Sequence, residues 1–324
     1  MMKIAHRLTL AVTLSLAALA LAPAAAQAPA SLKAATAKPA HANSQRSFAS
    51  PEEAVKGLVD ALRRGDTKAL VALAGPGSEA WIKSGDAVQD NEERQFFLAA
   101  YDEKHALEAQ GADRFILAVG ADAWPFAAPI VNQGGRWMFD AKAGREEVAN
   151  RRIGRNELDT IRTLLEVVEA QRKYAATDPD GNGVADYARK LVSSDGKKDG
   201  LYWPASPAQA SSPLEALAAL AAAQGYTRKA SVAPQPFHGY QYRILTAQGM
   251  DAPGSAREFL VKGQLIGGYA VVAYPAKYGV SGFMTFIVNQ DGLVYEKNLG
   301  TSTASAAAKM SRYNPDSTWT QVKP

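Results

Sequence analysis

The hydrophobic period of this 324-residue chain changes from helical to strand-like twice, and that repeat limits the fold more than any other feature. The first helical run opens at Ser50-Pro51-Glu52-Glu53, where Ser50 and Glu53 can satisfy the orphan amides of a helix that Pro51 begins. Ala54, Val55, Leu58, Ala61 and Leu62 then fall on one face, and Gly65-Asp66 supplies the stop. A short helix over residues 67–74 follows. A third helical stretch over 91–110 carries Phe96, Phe97, Ala100, Tyr101 and Leu107. The period then shortens, and residues 114–119, 127–132 and 136–140 read as strands, the last two joined by the tight turn Gln133-Gly134-Gly135.

The second cycle begins beyond a charged, Gly-flanked run at 144–155, which marks a domain boundary. Asn156 can cap a long helix with Leu158, Ile161, Leu164, Leu165, Val168 and Tyr174 on one face, ending at Asp178-Pro179. Ser212-Pro213-Leu214-Glu215 repeats the capping device of Ser50 before an Ala-rich helix that Gly225 closes. Strands are predicted over 240–246, 258–262, 269–274, 284–288 and 293–297, with Asn289-Gln290-Asp291-Gly292 as the hairpin turn between the last two. Residues 269–273 are apolar on both faces, which makes that strand central and covered. The fold class is therefore α+β, with two helix-backed antiparallel sheets: one domain over 48–150, a second over 151–300, and a tail over 301–324 whose Tyr313 and Trp319 can pack back on an edge.

The residues before Phe48 read as an address. Lys3, His6 and Arg7 precede an apolar run over 8–21, and Ala24-Ala25-Ala26 offers a small-residue cleavage site, so residues 1–26 are expected to be a cleaved secretory signal. The run is too short for the roughly 20 apolar residues of a spanning helix. Residues 27–47 are Ala, Pro, Lys, Ser and Thr with almost no large apolar side chain, the composition of a disordered tether. A periplasmic or secreted location follows. The chain has no cysteine, which excludes disulfides, thiolate nucleophiles, Cys-ligated metals and a lipid-modified amino-terminal cysteine together. The formal charge of +4 comes from Lys3, Arg7, Lys33, Lys38 and Arg46, and residues 48–324 carry a net −1, which gives no electrostatic footprint for nucleic acid.

Three strings carry a family resemblance: Gly239-Tyr240-Gln241-Tyr242-Arg243-Ile244-Leu245-Thr246, Gly267-Gly268-Tyr269-Ala270-Val271-Val272-Ala273-Tyr274-Pro275, and Gly282-Phe283-Met284-Thr285-Phe286-Ile287-Val288-Asn289. With Ala99-Ala100-Tyr101-Asp102-Glu103-Lys104-His105, Trp124-Pro125-Phe126 and Gly200-Leu201-Tyr202-Trp203-Pro204, the chain from about Phe48 to Leu299 resembles a bacterial secreted family called domain of unknown function 2950. That resemblance implies export, and it lends no activity because none is attached to the family's name. In order of elements, the first half is similar to the NTF2-like (cystatin-like) cone and the second to the globular heads of type IV pilins and pseudopilins. The pilin likeness fails where assembly is encoded, because the helix from Asn156 is amphipathic and the leader is of the ordinary kind, so no filament is expected.

The strongest chemical motif is the run over 178–186. Asp178, Asp180, Asn182 and Asp186 stand at positions one, three, five and nine of a calcium loop, the Val184 carbonyl at seven and Gly183 at the sharp turn, while Arg189 replaces the bidentate Glu of an EF-hand. Ca2+ held by these residues would bind in a weak range, roughly 10⁻⁴ to 10⁻³ M. The alternative is a metal-free Asx turn whose aspartates cap a helix over 187–192.

Catalytic constellations are thin. Outside the leader and tether only His105 and His238 remain, and no nucleophile elbow, phosphate loop or dinucleotide fingerprint is present. His105 with Asp102 or Asp122 is the one acid–base set available to a pocket in the first domain. Trp81, Tyr101, Trp124, Phe126 and Trp137 either line the mouth of the cone or fill its core. Tyr202, Trp203, Tyr274 and Tyr278 stand in Gly- and Pro-bounded segments and form the expected contact surface, either between the two domains or with an external partner. The expected function is an exported, non-enzymatic binding or interaction protein whose partner is an envelope protein or a small ligand. A periplasmic enzyme using the first-domain pocket is the alternative.

Overall fold

The structure is a computed structural model that describes residues 45–205, 211–226 and 235–323. The predicted leader and most of the tether lie outside the described residues. The tether ends sooner than expected, because Gln45 is already fixed: its Nε2 donates to Leu73 O at 2.7 Å and Phe139 O at 2.6 Å.

Helix α1 (Pro51–Arg64) forms as its capping residues dictate: Ser50 Oγ accepts from Glu53 N at 3.2 Å, the Glu53 carboxylate accepts from Ala49 N at 3.1 Å, and Gly65 closes the helix in the left-handed region. Asp66 caps α2 (Thr67–Ala74), and after the single turn α3 (Glu79–Ile82), Asp86 caps α4 (Ala87–Glu103) by accepting from Val88 N and Gln89 N. The third helical stretch therefore starts and ends earlier than its periodicity predicts. Lys104 is extended, and β1 (His105–Ala109) pairs antiparallel with β2 (Arg114–Val119) in the register His105↔Val119. Ladder pairing satisfies the backbone of five residues that helix propensity alone would have kept in the helix. With β3 (Trp124–Pro125), β4 (Ile130–Gln133) and β5 (Arg136–Phe139), these strands make an antiparallel sheet of order β1-β2-β4-β5, β3 pairing with β2. Val55, Leu58, Leu73, Leu117, Ile130 and Phe139 form its core.

The predicted boundary at 144–155 is not a linker. It lies inside α5, one helix of 37 residues from Ala141 to Thr177. Its charges pair at helical spacing, as in Arg151 Nε–Glu147 Oε1 at 2.6 Å, and Gly144 lets the helix approach Ala128, whose Cβ lies 2.6 Å from where a Cβ on that glycine would stand. The buried face of α5 also differs from the predicted one. Leu158 is 58% and Leu165 41% exposed, whereas Asn156, Thr160, Thr163 and Gln171 are buried beside Leu164, Val167, Val168 and Tyr174. These polar groups are satisfied inside: Asn156 accepts from Gln89 Nε2 at 2.6 Å and donates to Ser281 O at 2.9 Å, and Gln171 exchanges two bonds with the backbone of Ala188.

Beyond α5, residues 187–192 are not helical. The strand β6 (Lys190–Val192) pairs in parallel with β7 (Gly200–Tyr202), and the capping residue expected at Ser212 does not cap: α6 (Glu215–Ala223) starts from Leu214, and the buried Ser212 hydroxyl has no partner among the described residues. Next come β8 (Tyr240–Leu245), the short strands β9 (Ala247–Gln248), β10 (Arg257–Glu258), β11 (Leu260–Val261) and β12 (Gln264–Leu265), then β13 (Ala270–Pro275), β14 (Met284–Asn289) and β15 (Tyr295–Asn298). The tail adds α7 (Thr303–Lys309), β16 (Arg312–Tyr313) and β17 (Thr320–Gln321). The second antiparallel sheet has the order β17-β15-β14-β13-β8, so the middle strand is β14, while β13 is an interior strand between β14 and the edge strand β8, and its Val271, Val272 and Ala273 are fully buried. The Asp291-Gly292 turn joins β14 to β15 as its sequence requires, and the tail packs back through the buried Tyr313 and the β17 pairing.

The architecture is α+β. The described residues form one compact unit containing two hydrophobic cores, with α5 reaching β3 of the first sheet through Arg151 and packing on β13 and β14 of the second. Among the described residues no helix is long and apolar enough to cross a membrane.

Candidate functional site

Helices α1, α2 and α4 do not close completely on the first sheet. They leave an open cavity of about 660 Å³. Its wall is apolar because the inward positions of the helices and sheet converge there: Leu62 from α1, Leu70 from α2, Phe97 from α4, and Phe126 and Phe139 from the sheet side. The three rings pack in sequence, Phe97 to Phe126 at 5.3 Å and Phe126 to Phe139 at 6.0 Å between centroids, and so hold one wall rigid. The size is that of an ordinary small-molecule pocket.

The charged side chains around this cavity are Lys83, Asp90, Glu93, Arg94, Arg152 and Lys277. Both acids are engaged. Asp90 accepts from Ser84 N through both oxygens at 3.1 and 3.2 Å, and Glu93 is paired with Arg155 and with the buried Arg152 at 3.4 Å. Lys277 is supplied by the loop that follows β13 and reaches over the first sheet's cavity, its Nζ donating to Lys83 O at 2.9 Å.

A second polar cluster lies where the two sheets' elements meet. Asp86 accepts from Tyr226 Oη at 2.7 Å and from Gly239 N at 3.1 Å, and His238 Nδ1 stands 3.8 Å from Asp159 Oδ2. Burial lowers the His238 pKa below the ordinary imidazole value against the opposing pull of Asp159 and Asp86, while burial and the bond to Asp86 raise that of Tyr226. Gly239, at φ +74°, is irreplaceable here, since a Cβ would lie 2.4 Å from Asn156 Nδ2. The signal in the sequence was a histidine between Phe237 and Gly239; its own positive φ of 49° and its carboxylate neighbours appear only in three dimensions.

The acid–base set expected around His105 does not assemble. His105 is an exposed first residue of β1, stacked on Tyr101 at 3.9 Å with Nδ1 2.9 Å from Tyr101 O, Asp102 pairs with Arg63 at 2.5 Å on the surface, and Asp122 is exposed in a turn. None of the three lines the cavity. Of the aromatics, Phe126 lines it, Trp124 is 58% exposed under Arg151, and Trp137 and Tyr101 pack partly against the core. The Trp81 side chain lies outside the described residues.

The expected contact surface is also corrected. Trp203 is only 5% exposed and belongs to the second core, and Tyr202 and Tyr274 are half-buried against it. Parallel pairing of β6 with β7 turns the Gly-bounded segment inward, and Gly200 permits it, its Cβ position being 2.6 Å from Ser193 N. Tyr278 is half-buried on Phe283 and donates to Asn298 Oδ1 at 3.0 Å.

The loop over 178–186 is held by its own groups. Asp178 accepts from Asn182 N at 3.0 Å and Gly183 N at 2.9 Å, Val184 N donates to Asn182 Oδ1 at 2.7 Å, and Val184 O accepts from Asp186 N at 2.9 Å. Asn182 Nδ2 donates to both Asp180 and Asp186, at 2.9 and 3.2 Å, occupying lone pairs that a cation would need. The Gly183 amide lowers the Asp178 pKa, whereas burial and the neighbouring Asp178 and Asp186 raise that of Asp180. Among the described residues no group of three or more His, Asp or Glu side chains is gathered as a metal set.

Residues 45–322 match the sequence pattern of a family described as Protein of unknown function (DUF2950). Comparison with curated proteins and with solved structures gives no match.

Proposed function

Because the chain belongs to the DUF2950 family, whose description assigns no activity, we propose from its geometry that it is an exported binding protein that holds a small, largely apolar molecule between the first sheet and its helices. The observation that supports this is the cavity bounded by Leu62, Leu70, Phe97, Phe126 and Phe139. Export rests on the basic and apolar character of residues 1–26. Binding is favoured over the enzymatic alternative because His105, Asp102 and Asp122 lie away from the cavity. Titration with a neutral environment-sensitive dye such as Nile red tests it: saturable one-to-one blue-shifted emission, reduced in Leu70→Trp at unchanged melting temperature, supports the proposal, and emission that never saturates rejects it.

Calcium enters as a proposed stabiliser of the 178–186 loop, favoured by the setting of Asp180, whose pKa burial and the negative neighbours Asp178 and Asp186 push up, although the three carboxylates are not gathered as a metal set. It would require the Asn182 amide to release Asp180 and Asp186. A melting temperature that rises at millimolar calcium in the parent chain but not in Asp180→Ala supports this role; identical melts reject it.

A further inference from the structure

Resting on the cavity proposal above, we infer that the ligand is an amphiphile with an anionic head, its tail against the phenylalanine wall and its head between Arg94 and Lys277. The charge arrangement carries the inference. The cavity's acids, Asp90 and Glu93, already accept from Ser84 N and from two arginines, whereas among the described residues neither Arg94 nor Lys277 has a carboxylate within ion-pair distance. Arg94 donates to Asn91 Oδ1 and Lys277 to a backbone carbonyl, and both retain N–H groups for a ligand.

The surroundings have the polarity an amphiphile needs. A neighbouring groove of about 760 Å³ shares Lys83 and Lys277 with the apolar cavity, and its other charged residues are Lys68 and Glu79, of which Glu79 is paired with Lys83 at 3.3 Å. An apolar chamber thus adjoins a groove whose charge is predominantly positive, and charge-assisted bonding to an oxyanion is the interaction those ammonium and guanidinium groups supply.

Lys277 is held for this task. Its backbone N donates to Ser281 Oγ at 3.0 Å, the Ser281 carbonyl accepts from Asn156 on α5, and the Lys277 stem passes over Gly85, where a Cβ would stand 3.2 Å from it. A residue of the second sheet's loop therefore completes a site formed by the first.

The test uses the full chain and two probes, an anthroyloxy-labelled stearic acid and its methyl ester. The acid is expected to bind about ten-fold more tightly at low salt, a preference that shrinks as salt rises. Arg94→Met combined with Lys277→Met should erase the preference while the ester still binds, and Lys277→Arg should keep it; melting temperatures equal to the parent's show that the variants are folded. Equal affinity for acid and ester overturns the anionic head and leaves the cavity proposal standing. Binding of neither probe overturns both.

Discussion

The two sheets are made of the same kinds of element and differ in how completely they are covered. Around β13 in the second, Phe286, Ile287 and Val288 on one neighbour and Tyr240 and Leu245 on the other are buried to 1% exposure or less, and the tail adds Tyr313 to the same core. Over the first, α4 leaves Phe96 74% exposed and Phe97 at the edge of a cavity. Close packing makes a sheet stable and leaves it nothing to bind, whereas an unfilled face loses dispersion contacts and gains a place for a guest. The second sheet supplies rigidity and one reaching lysine. The first supplies the space.

That contrast can be broken most directly by truncating one ring in each core. Phe286→Ala is expected to destabilise the body by about 3–5 kcal/mol, and Phe97→Ala by the low end of the roughly 0.5–3 kcal/mol usual for single substitutions; urea midpoints at constant m-value measure both, and equal losses would erase the distinction. Acid sharpens it next. Burial by itself would raise the Asp199 pKa, but Lys190 at 2.8 Å and the Ser194 amide and hydroxyl outweigh it and hold that carboxyl down at about 2. Its stabilisation, about 2 kcal/mol, is present above the unfolded value near 3.8 and is lost as the pH falls through about 2. Asp199→Asn should therefore be weaker than the parent at pH 6, with the gap closing towards pH 2.

The two serines give a smaller, paired effect. Ser50→Ala should cost about 1 kcal/mol because it removes a working cap, while Ser212→Ala should be neutral or slightly stabilising because its buried hydroxyl has no partner among the described residues. Gly154 lies inside α5 with open space where a Cβ would go, so Gly154→Ala is expected to raise stability by about 0.5–1 kcal/mol, read as a higher urea midpoint.

Local devices were legible in the sequence, and tertiary ones were not. The Ser50 cap, the Gly65 stop, the Asp291-Gly292 turn and the doubly apolar β13 depend on neighbours in the chain, and each stands where its residues place it. Ser212 carries the same letters as Ser50 but ends up buried, because the chain around it packs on the second core. The inner face of α5 was hidden because Asn156, Thr160, Thr163 and Gln171 look like a solvated face until Gln89 and Ser281 arrive to bond Asn156, Tyr242 to bond Thr160 and Ala188 to bond Gln171, while Thr163 turns back onto Asp159 O. At the candidate site, Phe126 was marked, but Leu62, Leu70, Arg94 and Lys277 were not, since a cavity is a shortfall of packing among residues that each look like ordinary core or surface. The opposite error befell Trp203, a large ring that the partner strand draws inside.

The unbroken course of α5 bears on how this molecule can be divided. At 1.5 Å per residue its 37 residues form a rod about 55 Å long, whose first turn lies against Ala128 of the first core and whose later turns carry Leu164, Val167, Val168 and Tyr174 into the second. A cut at residue 150, the seam that charge composition suggests, would saw through that rod and part its Ala128 contact from the turns that fill the second core.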